Sequence, residues 1–354
     1  MPRCYQSSRL EEPTVEQSSQ YRHPQPARTP AVSIVLCTRN GDRHLVDQLE
    51  SILGQTWKPN EILIGDDMSS DRTRELLLEF ERSHSSIRLV FNDQRLGVTR
   101  NFERCLAASR GEVIFLSDQD DFWRPHKVEF VMSQFLRSPD TLCVLHDAEI
   151  ADERLRLLGT TLWDTIGFRR DGSGRQAINA TVRGLIKHNV AYGSTLAVRS
   201  SLLSIALPIA AGWGHDSWIA LCGATAGQVR LVPDCLSVYR QHSGQETPDR
   251  LLRQRAPMTH DFRSSLAKRR QDFLLLSDHL AAVLPAATIE ECLSELKQVA
   301  AHFDRRSRLP HRHLARLPLV LREAASGRYQ KYTDWKSVVR DLVMTTVPRQ
   351  RGSE

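Results

Sequence analysis

The 354-residue chain lacks the sequence marks of several common protein classes. It has no run of about 18 apolar residues, so no transmembrane helix is predicted. No GxGxxG follows the first apolar run, and GxxxxGK followed by Ser or Thr occurs nowhere, so a glycine-lined phosphate loop is not expected. The seven cysteines form no CxxC pair and no Cys/His metal spacing, which predicts reduced thiols in a cytoplasmic protein.

The two ends of the chain differ in composition from its middle. Residues 1–30 are polar, rich in Pro, Ser and Gln, and lack the apolar segment of a signal peptide, so we predict a disordered arm there. The formal net charge is +6, and basic residues concentrate between Arg250 and Arg351. This distribution indicates either an anionic partner, such as a membrane surface or a phosphorylated substrate, or a solvated helical surface.

From Val32 onward, apolar runs alternate with amphipathic helical patterns. Each of four strand-like runs is followed by a helical pattern; the runs are 32–37, 60–67, 86–93 and 112–118. The runs are apolar throughout rather than alternating, which is typical of strands that are buried on both faces. This order predicts an α/β fold with a mainly parallel sheet and helices on both faces. Beyond about residue 247 the pattern is mostly amphipathic helix.

Acidic side chains cluster where two of these runs end. The stretch EVIFLSDQDDFW, residues 112–123, leads from an apolar strand into Asp118, Asp120 and Asp121. The second run ends in Asp66 and Asp67. Ligands bind at the carboxyl ends of the strands in open parallel sheets, so these acids should meet in one crevice. Carboxylate oxygens suit Mg²⁺ or Mn²⁺, and the sequence therefore predicts a metal that clamps a diphosphate there.

Two long segments carry a family resemblance. VSIVLCTRNGDRHLVDQLESILGQTWKPNEILIGDDMSSDRT and NDQRLGVTRNFERCLAASRGEVIFLSDQDDFW resemble family 2 glycosyltransferases, and SDQDDFW and YRQHSG resemble its rhamnosyltransferase-type members. The resemblance runs from about Val32 to Gly244. It implies a GT-A catalytic domain over 31–246, with a nucleotide-sugar half (31–123) and an acceptor half (124–246). A helical C-terminal region would then cover 247–354.

The resemblance implies that five residues bind the nucleotide sugar. Thr38 and Arg39 would lie against the nucleotide, and Asp66 would bind the base. Arg100 would lie near the sugar nucleotide, and Asp118 near the ribose or sugar. The alternatives are a turn or helix N-cap for Asp66 and a solvent-facing position for Arg100.

The resemblance also implies the metal ligands and the catalytic base. Asp120 matches the metal ligand, His242 in YRQHSG reaches the metal or the diphosphate, and Asp121 orients the site. Asp216 in GWGHDSW matches the general base of an inverting transferase, which takes the proton of the attacking acceptor hydroxyl. The alternatives are an N-cap for Asp216 and an ordinary loop position for His242. The segment HDAE, 146–149, matches polar positions near the donor sugar or the acceptor.

Together these features predict a metal-dependent inverting glycosyltransferase. Its expected partners are a nucleotide-diphosphate sugar, with rhamnose as the sugar that the resemblance suggests, and a glycan or lipid-linked acceptor in cell-surface polysaccharide synthesis. The basic C-terminal region either contacts the inner face of the membrane or packs on the catalytic domain. No nucleic-acid partner is expected. Two alternatives stay open: a non-catalytic nucleotide-sugar-binding protein, and a sugar-phosphate nucleotidyltransferase, although CTRNGDRH lacks the loop that the latter needs.

Overall fold

A mixed β-sheet organises the chain in the computed structural model, which describes residues 29–168, 178–245 and 262–343. The strands in these residues are β1 (Val32–Thr38), β2 (Glu61–Asp66), β3 (Ile87–Phe91), β4 (Val113–Ser117), β5 (Phe122–Trp123), β6 (Thr141–Ala151), β7 (Leu157–Thr161), β8 (Ile178–Ala180), β9 (Leu196–Arg199) and β10 (Gln228–Arg240). Their order across the sheet is β3-β2-β1-β4-β9-β6-β10-β5, with β7 paired to β6 and β8 paired to β10.

The first four strands form a parallel half. β1 pairs in parallel with β2 and β4, and β2 pairs in parallel with β3. All seven residues of β1 are buried, because successive side chains enter two different core clusters. Ile34 and Leu36 belong to one cluster, and Val35 and Cys37 belong to the other. Burial on both faces explains why the strand is apolar throughout.

Helices cover both faces of the sheet. They are α1 (Leu45–Leu53), α2 (Thr73–Ser83), α3 (Val98–Ala108), α4 (Lys127–Arg137), α5 (Leu162–Thr165), α6 (Val182–Lys187), α7 (Leu203–Ala206), α8 (His215–Ala226), α9 (Phe262–Val283), α10 (Ala286–Ser307), α11 (His313–Ala325), α12 (Arg328–Tyr332) and α13 (Trp335–Val343). Leu49 of α1 and Val131 of α4 are buried in one core cluster, and Phe102 of α3 and Trp218 of α8 are buried in the other. The predicted α/β arrangement is confirmed.

The second half of the sheet brings distant chain segments to the edge where β4 ends. β9 lies antiparallel between β4 and β6, and β6 pairs in parallel with β10. The short strand β5, which follows the acidic stretch, pairs antiparallel with the end of β10, so that Val238 lies opposite Phe122. This pairing places the residues after β10 beside residues 118–121.

The C-terminal helices continue the core of the α/β part. Leu276 of α9 and Phe303 of α10 lie in the same cluster as Trp218 of α8. The described residues from Ala31 onward accordingly belong to one compact unit. The predicted disordered arm, apart from Thr29 and Pro30, and the predicted boundary near 247 lie outside the described residues. Among the helices described, none combines the length and apolarity needed to cross a membrane.

Candidate active site

A cleft of about 260 Å³ lies at the carboxyl ends of β1, β2 and β4. Side chains from α3 and from the segment after β10 complete its walls. The residues that line it are Cys37, Thr38, Arg39, Asn40, Asp67, Val98, Asn101, Phe102, Asp118, Gln119, Asp120, Tyr239, Gly244 and Gln245. Of the residues that the sequence assigned to the site, Thr38, Arg39, Asp118 and Asp120 are therefore in the cleft.

Gln119 links the end of β1 to the loop after β4. The Thr38 hydroxyl donates to Oε1 of Gln119, and the Arg39 backbone N–H donates to the same oxygen at 2.9 Å. Nε2 of Gln119 donates back to the Arg39 carbonyl at 3.1 Å. Gly41 permits this close approach, because a Cβ there would lie 2.2 Å from Gln119 Oε1. The two loops that carry the predicted nucleotide and metal residues are thereby held together.

The two acids after β2 point in different directions. Asp66 is buried and does not line the cleft; its Oδ2 accepts from Arg74 Nε at 2.6 Å and from the Ser69 N–H at 3.1 Å. Asp67 does line the cleft, and it accepts from the backbone N–H groups of Leu96 (2.7 Å) and Gly97 (2.8 Å). Burial alone would raise the pKa of Asp67, but these hydrogen bonds hold it below its usual value. Of this pair, Asp67 is therefore the acid that lines the cleft, whereas Asp66 is buried beside it in sequence.

Arg100 does not reach the cleft either. It lies on the exposed face of α3, where Nη1 donates to Glu103 Oε2 at 2.6 Å. Its neighbour Asn101 is buried and lines the cleft, with Nδ2 donating to the Gly65 carbonyl at 2.8 Å. Arg100 thus has the solvent-facing position that was its alternative, and Asn101 is the residue of this pair that lines the cleft.

Asp120 and His242 meet at the other side of the cleft. Nε2 of His242 lies 2.8 Å from Asp120 Oδ2, although the two residues are 122 positions apart. The Gly244 N–H donates to Nδ1 of His242 at 3.2 Å, which directs Nε2 at the carboxylate. The structure thus brings together the two residues that the sequence assigned to the metal.

The geometry of this pair fits a divalent cation that is shared with a diphosphate. Adjacent ligands of an octahedral Mg²⁺ with bonds of about 2.1 Å lie about 3 Å apart, close to the observed separation. Over the ranges that the structure describes, no group of three His, Cys, Asp or Glu side chains could hold a metal. Mg²⁺ typically binds one or two carboxylates and completes its shell with phosphate oxygens and water, so two protein ligands are sufficient.

Two buried cations compensate the acidic cluster. The side chain of Lys127 at the start of α4 is 1% exposed, and Nζ donates to the Ser194 carbonyl at 2.8 Å. The guanidinium of Arg240 is also buried; Nε donates to the Asp120 carbonyl, and the backbone N–H donates to Asp121 Oδ1 at 3.2 Å. Charge that is buried without a partner is costly, and these cations make the cluster tolerable.

The acids retain strongly shifted pKa values despite these cations. Burial raises the pKa of Asp118 well above its usual value, with further contributions from the charges of Asp121, Asp120 and Asp216. Burial likewise raises the pKa of Asp121 to about 7, while Lys127 opposes the shift. Burial is the main cause of both shifts, and repulsion between the neighbouring carboxylates adds to it, which a bound cation would relieve.

Asp216 lies at the start of α8, and its charge acts on Asp118 as described above. Its side chain is half-buried, and Oδ1 accepts from the Ser217 N–H at 2.6 Å. The preceding His215 stacks on the cleft residue Phe102 with ring centroids 4.0 Å apart. A Cβ on Gly193 would lie 2.6 Å from His215 Nε2, so glycine is needed for this packing. The start of α8 is therefore placed next to the cleft wall.

His146 and Asp147 belong to the buried part of β6. Nδ1 of His146 is 2.7 Å from the Asp147 carbonyl oxygen, and Asp147 Oδ1 accepts from the backbone of Ala148 and Trp163. Neither residue lines the cleft. Their contacts support a structural role within the sheet.

The sequence interpretation missed Lys127 and Gln119. A signal for a buried counter-charge was available in the segment KVEFVM. Its lysine follows the acidic stretch and begins a helix in which several positions are buried. No comparable signal marks Gln119, because its role depends on the approach of β1 to β4.

Comparisons with known proteins agree with this geometry. Residues 33–192 match the family model described as glycosyl transferase family 2. The chain is 28% identical over 215 residues to an uncharacterized glycosyltransferase of Nostoc sp., covering 60% of this chain and 65% of that protein. A 107-residue stretch is 35% identical to UDP-Glc:alpha-D-GlcNAc-diphosphoundecaprenol beta-1,3-glucosyltransferase WfgD of Escherichia coli, covering 30% of this chain and 42% of WfgD. The chain therefore spans less than two thirds of the length of these relatives.

Solved structures share the fold. S. aureus TarS 1-349 in complex with UDP-GlcNAc superposes with a TM-score of 0.53 at 14% sequence identity, covering 85% of this chain and 89% of that one. At this identity the likeness concerns the fold alone. Together with the sheet and the helical C-terminal region, it confirms the predicted fold class.

Proposed function

Because the segment 33–192 belongs to glycosyl transferase family 2, as its motifs predicted, we propose that the protein transfers a sugar from a nucleotide-diphosphate donor to a glycan or lipid-linked saccharide. The transfer inverts the anomeric configuration and serves cell-surface polysaccharide synthesis. Rhamnose is the proposed sugar, on the basis of the SDQDDFW and YRQHSG motifs. The reaction takes place in the cytoplasm, next to the inner face of the membrane.

The observation that carries this proposal is the contact of His242 with Asp120, which lines the cleft. The contact joins two segments 122 residues apart, and it lies where three strand ends converge. A site that only bound a sugar would not need such an excess of buried acid. The excess is accounted for if a cation and a pyrophosphate group occupy the cleft together.

The donor is held by the wall opposite this pair. Thr38 and Arg39 contact the nucleotide from the end of β1, and Asp67 takes the base contact first assigned to Asp66. Asp118 accepts hydrogen bonds from the ribose or the sugar. Arg39 Nε is buried without a hydrogen-bond partner, which leaves that donor available for an anionic ligand.

Proton transfer is assigned to Asp216. The carboxylate at the start of α8 takes the proton of the acceptor hydroxyl as that oxygen attacks the anomeric carbon from the face opposite the diphosphate. Asp120 and His242 would hold Mg²⁺ or Mn²⁺, and the bound ion would offset the charge that develops on the leaving diphosphate. Lys127 and Arg240 fix the loop that carries Asp120.

A donor screen tests the proposal. The full chain is incubated with Mn²⁺ or Mg²⁺ and with UDP-, GDP- and dTDP-sugars, including dTDP-rhamnose, and release of nucleoside diphosphate is measured with and without lipid-linked saccharide. We expect release with one donor class, stimulation by acceptor, and loss on adding EDTA. Full turnover in EDTA would contradict the metal assignment. Binding of a nucleotide sugar without turnover under any condition would favour the non-catalytic alternative.

A further inference from the structure

Two helices near the end of the described residues expose apolar side chains in regular rows. α11 and α13 lie antiparallel, since Nδ1 of His313 at the start of α11 is 2.9 Å from the carbonyl oxygen of Leu342 at the end of α13. The short helix α12 connects their other ends. Six exposed side chains form these rows and are called the apolar surface below: Leu314, Leu317 and Leu321 of α11 and Trp335, Val339 and Val343 of α13. Leu319 of α11 is also exposed but lies outside the row.

Each row lies opposite the buried face of its own helix. Steps of three and four residues keep a row on one side of a helix. Val320 on α11 and Asp341 on α13 are buried on the other side. We counted along both helices from the contact between His313 and Leu342. Because the helices are antiparallel, the two rows then cover the same length of the helix pair, side by side. Leu314 is 88% exposed and Trp335 is 71% exposed, so no part of the described chain covers the apolar surface.

The charges around the apolar surface are almost all positive. Residues 305–343 contain ten Arg and Lys but three acids. Two of these acids are buried in ion pairs: Glu323 with Arg305 (3.0 Å) and Asp341 with Arg306 (2.7 Å). The basic residues that remain exposed are Arg305, Arg308, Arg312, Arg322, Lys331 and Lys336, and the exposed acid is Asp334.

We propose that the apolar surface is a docking site for an anionic lipid bilayer. Exposed leucine and tryptophan flanked by arginine and lysine is the pattern of helices that lie in the membrane interface, where Trp sits at headgroup level. Anionic headgroups complement the basic rim, and the two buried ion pairs keep acids away from it. A second copy of this chain would bring its own basic rim against this one, which disfavours self-association through the same face. The site is separate from the cleft, and vesicle binding requires no nucleotide sugar.

Vesicle flotation of the full chain tests the proposal. Wild-type protein is mixed with vesicles of equimolar phosphatidylglycerol and phosphatidylcholine, or of phosphatidylcholine alone.

The test variant combines Leu317→Ser, Leu321→Ser and Trp335→Ser. The matched control replaces exposed apolar residues of β7, with Leu157→Ser and Leu158→Ser. A third variant, Arg312→Gln with Lys336→Gln, removes charge without changing the apolar surface. Circular dichroism and release of nucleoside diphosphate establish that each variant is folded.

Wild-type and β7-variant protein should float with the phosphatidylglycerol vesicles, and high salt should weaken the binding. The apolar-surface and charge variants should each lower the bound fraction by about tenfold. The proposal is overturned if wild-type protein stays unbound, or if the apolar-surface variant binds as well as the β7 control. It is equally overturned if that variant changes only the molar mass in light scattering, since the occupant would then be a second copy of the chain.

Discussion

Nζ of Lys127 donates a hydrogen bond to the carbonyl oxygen of Ser194 at 2.8 Å. The same ammonium lies 3.6 Å from the centroid of the Trp123 ring. The contact ties the start of α4 to the turn at Gly193–Thr195 that leads into β9. The lysine charge is thereby fixed beneath Asp118 and Asp121, where it can compensate both without taking up space in the cleft.

Replacing Lys127 with Met should destabilise the fold, because two buried carboxylates lose a counter-charge. We expect the free energy of unfolding to fall by about 3–5 kcal/mol in urea titrations. Lys127→Arg should recover part of the loss, since it restores the charge. Lys58→Met, at an exposed position, should change stability by less than about 0.5 kcal/mol. A Lys127→Met protein as stable as wild type would show that the lysine charge does not support the acidic cluster.

Asp216→Asn should abolish sugar transfer while nucleotide binding persists. The amide cannot accept the acceptor proton, but it keeps the size of the side chain, so the start of α8 should be preserved. We expect kcat to fall by about 100-fold or more and the Kd for nucleoside diphosphate to change by less than about threefold. Asp164→Asn, at a capping position on α5, is the carboxylate control. Loss of nucleotide binding in Asp216→Asn would mean that this acid belongs to the donor site instead.

His242→Ala should weaken binding of Mn²⁺ in the presence of nucleoside diphosphate. One of two protein contacts to the metal would be lost, and we expect the Kd for Mn²⁺ to rise by about 10- to 100-fold in calorimetric titrations. Asp120→Asn should have an effect at least as large, because it removes the charged ligand. His311→Ala, at an exposed position just before α11, controls for loss of a histidine. Unchanged Mn²⁺ affinity in both site variants would refute the metal assignment.

Acid should destabilise the fold in part through His44. Burial, together with the charge of Arg240, lowers the pKa of His44 to about 4. Above pH 6.5 the ring is neutral in both states, so its stabilising contribution is fully present. As the pH falls from 6.5 toward 4, the unfolded chain binds a proton that the folded chain does not, and the contribution is lost.

The free energy of unfolding that is lost through His44 should reach about 2 kcal/mol at pH 5. Urea titrations at pH 7 and pH 5 measure it, and in His44→Gln the difference between the two pH values should be smaller by that amount. If the free energy of unfolding changed equally with pH in wild type and His44→Gln, His44 would be protonated equally in the folded and unfolded states.

The strands and helices were predictable because they depend on local patterns, whereas the direction of single side chains was not. Asp66 and Asp67 are adjacent, and successive side chains point to opposite sides, so a shift of one residue exchanges the ligand-facing acid for the buried one. Arg100 and Asn101 differ in the same way on a helix, where one position turns the side chain by about 100°. The position of the Lys127 side chain depends on the insertion of β9 between β4 and β6. No local sequence pattern encodes that insertion.

The guanidinium of Arg240 has a consequence for how the protein matures. It bonds the Asp120 carbonyl, the Glu153 carbonyl and the Asp47 carboxylate, joining three segments that are made earlier. Ribosomes add about 5–20 residues per second, so the 120 residues between Asp120 and Arg240 take roughly 6–24 seconds to synthesise. During that interval the nascent acidic loop has no arginine to anchor it, and its contacts with Arg240 and His242 can form only after β10 has emerged from the exit tunnel.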